Sequence, residues 1–118
     1  MSNAPEQNAA ATPDEPLAIG GQHRLQTVVD DYDVVLVDFY ADWCGPCQML
    51  EPVIEDLAAE TPAAVAKVDV DRQQSLAAEF GVQGVPTLLL FADGSPVERL
   101  VGVREKRHYA ELVERYAE

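Results

Sequence analysis

Residues 34–47 read VVLVDFYADWCGPC. Val34 to Tyr40 is an apolar run broken by one acid, Asp38, and its β-branched and aromatic content suits a strand covered on both faces. From about Cys44 to Glu60 the pattern changes. Leu50, Val53, Ile54, Leu57 and Ala58 fall on one stripe, which predicts a helix, with Pro52 expected to kink it. Cys44 and Cys47 therefore stand where a buried strand gives way to a helix.

The same alternation continues on both sides. Downstream, Ala64 to Val70 reads as a strand, Leu76, Ala77 and Phe80 as a short helix ended by Gly81, and Thr87 to Phe91 as another strand. Asp93-Gly94 is a hairpin signal leading into Val97 to Val101, and Tyr109, Leu112, Val113 and Tyr116 stripe a last helix. Upstream, Leu25, Val28, Val29 and Tyr32 stripe a short helix, and Pro16 to Ile19 offers a weak edge strand closed by Gly20-Gly21. Strands alternating with helices imply parallel pairing, and the last hairpin adds an antiparallel edge. The expected fold is α/β: a three-layer α/β/α sandwich around a central mixed sheet of four to five strands. Residues 1–15, rich in Ala, Pro, Asn and Gln, are expected to be a flexible acidic N-terminal extension, and 16–118 the single domain.

The spacing of the two cysteines has a chemical use. Residues three apart in the first turn of a helix share a face, so the two sulfurs can bond. Unpaired N–H groups and the positive end of the helix dipole favour a thiolate there. Cys44, at the mouth of the helix, is expected to be the exposed nucleophile; Cys47, one turn in, the shielded resolving thiol. Pro46 suits a first turn, where a missing N–H costs little. A zinc site would need about four ligands, and the chain offers no second cysteine pair and only His23 and His108. A structural disulfide across so short a loop would stabilise little. Asp38 is a lone carboxylate in an apolar strand, so its pKa should be raised. Such a group can take the proton from Cys47 as that thiol attacks a mixed disulfide.

VDFYADWCGPCQMLEP, then AKVDVD, then GVPTLLLF followed by DG, together resemble the thioredoxin family over about residues 17–118. The resemblance implies protein-disulfide reduction, cell redox homeostasis and electron donation to reductases. It assigns Asp38 the same proton-acceptor role, and Lys67 a place as a buried lysine paired with Asp38. It implies a cis peptide before Pro86. A proline there presents no N–H and leaves the Val85 backbone to pair with an extended substrate. Trp43, Gly45, Pro46, Val85 and Gly102 are expected to form a flat, mostly uncharged patch around Cys44, and Gly45-Pro46 between the cysteines resembles the reducing branch. Tyr40 and Gln48 stand where many members carry Trp and Lys. The implied partners are disulfide-containing proteins and thioredoxin reductase or an equivalent donor. A non-enzymatic redox-sensing adaptor is the alternative from another class, and an oxidant or isomerase the alternative direction.

No metal is expected, for want of ligands, and no cofactor: the chain carries no nucleotide-binding loop, so the hydride or electron carrier is expected to belong to the partner reductase. The N-terminus lacks the basic start and apolar stretch of a secretory signal, so a cytoplasmic protein is expected, and a monomer. With 21 acidic residues against 8 basic ones, the formal charge is −13, most of it on the domain rather than the extension. Nucleic acid and anionic membrane are excluded as partners by such a surface. Self-repulsion at this charge is severe in dilute salt and screened near 1 M, where the Debye length falls to ~3 Å. A salt-rich cytoplasm, as in halophilic microbes, is the expected setting. The melting temperature should therefore rise between about 0.1 M and about 2 M KCl in calorimetry; equal stability at the two concentrations would refute the salt reading.

Overall fold

The computed structural model describes residues 12–117. The first eleven residues of the expected extension, and Glu118, lie outside the described part. The elements follow as β1 (Leu17–Ala18), α1 (Gln22–Asp31), β2 (Val34–Tyr40), α2 (Gly45–Glu60), β3 (Ala64–Asp69), α3 (Gln74–Glu79), β4 (Thr87–Ala92), β5 (Ser95–Val101) and α4 (Lys106–Tyr116). The weak edge strand is real but only two residues long; Ile19 N–H extends its hold by donating to Lys67 O at 3.0 Å.

The sheet has five strands in the order β1-β3-β2-β4-β5. β1, β3 and β2 run parallel, and β4 and β5 join antiparallel. Strand alternation divides β2 between two cores. Val35, Val37 and Phe39 pack with Leu25, Val28 and Val29 of α1 and Leu76 and Ala77 of α3. Val34 and Leu36 pack on the other side with Leu50, Ile54 and Leu57 of α2 and Tyr109, Leu112 and Val113 of α4. That division is the three-layer sandwich, and it explains why β2 reads as an unbroken apolar run. Asp38 shares the face of Val34 and Leu36, so it lies beneath the α2 and α4 layer.

Local signals in the sequence account for the connections. Asp93 and Gly94 both adopt positive φ, 52° and 87°, as a tight β-hairpin turn requires. Asp93 N–H also donates to Asp33 O at 2.8 Å, tying that turn to the start of β2. β5 begins at Ser95, earlier than the Val97 expected. Pro96 is accommodated because β5 is an edge strand and the register slips between Leu90 and Phe91. Gly81, at φ 67°, ends α3 as its position in the sequence suggests. α2 runs through Pro52 as one element.

Candidate active site

β2 delivers the chain into a turn in which Cys44 N–H donates to Ala41 O at 3.2 Å. Cys44 is the N-cap of α2, with extended backbone (φ −92°, ψ 109°). Its Sγ accepts the Cys47 backbone N–H at 3.2 Å, taking the place usually filled by a Ser or Asp oxygen. Gly45 and Pro46 fill the first turn. The two cysteines are joined in a disulfide, with Cα atoms 5.2 Å apart. The Gln48 side chain donates to Asp42 O at 2.9 Å and brings no charge to the turn.

Cys44 differs from the expectation in one respect. In the disulfide it is as covered as Cys47, each 4% exposed. Its sulfur is turned inward by the Cys47 amide and the bond to Cys47, and Tyr40, Val70 and Val85 pack around the pair. The expected surface is otherwise assembled. Cys44 Sγ lies 3.7 Å from Val85 O, and the Val85–Pro86 peptide is cis. Gly102 N–H donates to Pro86 O at 2.8 Å, which brings the end of β5 beside the proline. Gly102 sits at φ 90°, a conformation that selects glycine. Its loop is held by Tyr109, whose hydroxyl accepts the Arg104 N–H at 2.8 Å. Trp43 is 70% exposed, and its Nε1 donates to Asp71 Oδ2 at 2.8 Å. A groove of about 130 Å³ runs between Trp43 and the Gln83–Val85 segment, floored by Val70 and Val82. Met49, 74% exposed, adds apolar surface on the first turns of α2.

Asp38 is buried, and its Oδ1 has no hydrogen-bond partner among the described residues. Burial pushes its pKa from 3.8 to about 7; the Lys67 charge pulls it down in part, and the Glu51 charge pushes it up. The expected ion pair between Lys67 and Asp38 is corrected by the structure. The two residues are register partners on β3 and β2, but the Lys67 ammonium bonds Glu51 Oε2 and sits 4.3 Å above the Tyr40 ring. Glu51 keeps part of its carboxylate in water, whereas meeting Asp38 would strip solvent from both ions. Glu51 carried no signal in the sequence, because a helical glutamate beside a proline reads as solvated surface.

Residues 20–115 match the family model described as Thioredoxin. The chain belongs to the thioredoxin family. Thioredoxin from Chlamydia muridarum is 50% identical over 84 residues, covering 70% of this chain and 82% of the relative. Thioredoxin from Staphylococcus aureus is 48% identical over 85 residues, with the same coverage. Among solved structures, a mutant thioredoxin from Halobacterium salinarum superposes with a TM-score of 0.89 at 61% identity, covering 92% of this chain and 96% of that one. Thioredoxin from Fasciola hepatica gives 0.79 at 32% identity, covering 85% and 98%. The fold and the dithiol pair are those of thioredoxins, which are protein-disulfide reductases. Among the described residues, no helix is long and apolar enough to cross a membrane.

The raised pKa of Asp38 is also a statement about stability. Its carboxyl ionises near 3.8 when free and at about 7 when folded, so between those values the native state holds a proton that the unfolded chain has released. The contribution of Asp38 to stability is then greatest below 3.8, declines through that window and levels off above 7. The full cost is on the order of 4 kcal/mol. Asp38→Asn removes the ionisation. With the disulfide intact, the variant should gain on the parent as pH rises from about 4 to about 7, then hold a constant advantage of ~2–4 kcal/mol in urea unfolding. A difference that does not vary with pH would contradict the assignment.

Proposed function

We propose that this thioredoxin reduces disulfides in partner proteins with Cys44 as the nucleophile, Cys47 as the resolving thiol and Asp38 as the proton acceptor. The observation that carries the reading is Cys44 Sγ accepting the Cys47 amide at the mouth of α2. In the reduced protein the same amide and the helix dipole stabilise a thiolate on that sulfur. The thiolate attacks one sulfur of the partner disulfide, and the other sulfur leaves and is protonated. Cys47 then gives its proton to the Asp38 carboxylate, and its sulfur attacks Cys44 Sγ. The mixed disulfide breaks, the second partner sulfur departs as a thiolate that takes up a proton, Asp38 returns its own to solvent, and the Cys44–Cys47 disulfide remains. Two electrons have passed to the partner, and thioredoxin reductase or an equivalent donor returns them.

The partner segment lies extended along Val85, between Trp43 and Gly102. Pro86 lends no amide to compete with it, and the Val85 carbonyl beside Cys44 Sγ accepts its backbone. Gly45 and Pro46 add neither charge nor side-chain donor near the thiolate, which suits the reducing direction. An adaptor that merely holds partners on this patch has no use for a sulfur acting as a helix cap, so the enzymatic reading is favoured. The net charge of −13 and the kinship to a Halobacterium salinarum thioredoxin support a salt-rich cytoplasm as the setting.

Insulin reduction driven by dithiothreitol tests the scheme. The parent should precipitate the insulin B chain, and Cys44→Ser should lose the activity. Reduced Cys47→Ser, freed of dithiothreitol before it meets insulin, should instead accumulate a mixed disulfide visible by mass spectrometry. In single-turnover exchange near pH 7, Asp38→Asn should slow the resolving step by about tenfold or more while leaving the first attack unchanged. Retained activity in Cys44→Ser, or an unaltered resolving step in Asp38→Asn, would defeat the corresponding role.

A further inference from the structure

One side chain near the buried acid has no part in the scheme so far. Glu51, one turn beyond Cys47 on α2, binds the ammonium of Lys67. Lys67 stands directly beside Asp38 in the sheet register, on the same face, and nothing in the strand pairing prevents its ammonium from turning to the carboxyl. It does not do so. The ammonium is drawn toward Glu51 and over the Tyr40 ring, and Asp38 Oδ1 is left without a partner among the described residues. The Glu51 side chain is 37% exposed and that of Lys67 18% exposed, so the pair sits at the rim of the layer rather than under it.

We propose that Glu51 is a positioning residue for the resolving step: it holds the Lys67 ammonium away from Asp38 and so keeps that carboxyl available to accept the Cys47 proton. The proposal rests on the reading of Asp38 as the acceptor and deepens it. An ammonium in hydrogen-bond contact would stabilise the Asp38 anion and weaken it as a base at neutral pH. Glu51 prevents this by competing for the same three N–H donors, and its own negative charge acts in the same direction. The other groups around Asp38 do not substitute for it. β4 offers Leu88 opposite Asp38, and α4 offers the Tyr109 hydroxyl, which is engaged with Arg104; Cys47 of α2 does not titrate in the disulfide.

The Asp38 carboxyl can be read directly. In the oxidised full-length protein, labelled with ¹³C at aspartate, the Asp38 carboxyl resonance is titrated by NMR in the parent, Glu51→Gln, Lys67→Met and the double variant. The midpoint should fall by about one pH unit in Glu51→Gln, because the freed ammonium turns to Asp38. It should rise in Lys67→Met. Adding Glu51→Gln to Lys67→Met should move it by much less than the same change moves the parent, since the ammonium that Glu51 restrains is gone. In single-turnover exchange the acid limb of the resolving step should shift down with the Glu51→Gln midpoint. An unmoved midpoint in Glu51→Gln overturns the proposal, as does an equal shift with and without Lys67. Either result leaves the proton-acceptor role of Asp38 standing, because that role is judged by the Asp38→Asn kinetics alone.

Discussion

A single backbone amide, that of Cys47, points at the Sγ of Cys44 across 3.2 Å, and much of the molecule serves to keep it there. The amide is one of the donors that the start of a helix leaves unpaired. It can face a sulfur only because Cys44 is extended while Gly45 onward is helical. That break in conformation is forced by β2, which is buried on both faces and cannot yield, and by α2, which is anchored through Leu50, Ile54 and Leu57. Between the two fixed elements the chain has only Ala41 to Trp43 in which to turn. The position of the sulfur follows from hydrophobic packing at a distance.

The second constraint is the Asp38 carboxyl, buried on the face of β2 that α2 and α4 cover. A buried acid without a hydrogen-bond partner is a net loss to the folded state, since its ionisation is opposed by burial more than it is helped by Lys67. The sheet places it on the face covered by α2 and α4, where water is scarce. A full ion pair with Lys67 would relieve the loss and lower the proton affinity of the carboxyl at the same time. The structure has instead a lysine satisfied at the rim and, inside, an acid whose Oδ1 has no partner among the described residues. In the proposed scheme, stability and reactivity are opposed at this one residue.

The fold was largely legible because its signals are local and repeated. The β2 run, the Asp93-Gly94 turn, Gly81 after α3 and the stripes of the helices each fixed one element within a residue or two. β1 was faint because two residues hold little periodicity, and the start of β5 was hidden by Pro96, which only the edge position makes acceptable. The placement of site residues was legible where local pattern decides geometry: Cys44 and Cys47 by their spacing at a helix start, Asp38 as the lone acid of an apolar strand. The cis peptide at Pro86 and the approach of Gly102 came from family resemblance, not from residue physics. Two features escaped. The burial of Cys44 depends on where Val85 lies across 41 positions of chain. The partner of Lys67 depends on how two carboxylates, one on a strand and one on a helix, compare in exposure, and no linear pattern encodes that comparison.

The account depends on unequal sulfurs: one made electron-rich by the amide at the mouth of α2, the other waiting beneath it. The most direct measurement is the pH dependence of iodoacetamide alkylation in the fully reduced protein, with each cysteine followed separately by peptide mass spectrometry. Cys44 should react at pH 7 at least about tenfold faster than Cys47, with a midpoint below the ~8.5 of a free thiol. Equal, slow alkylation of both sulfurs, with midpoints at or above that value, would contradict it.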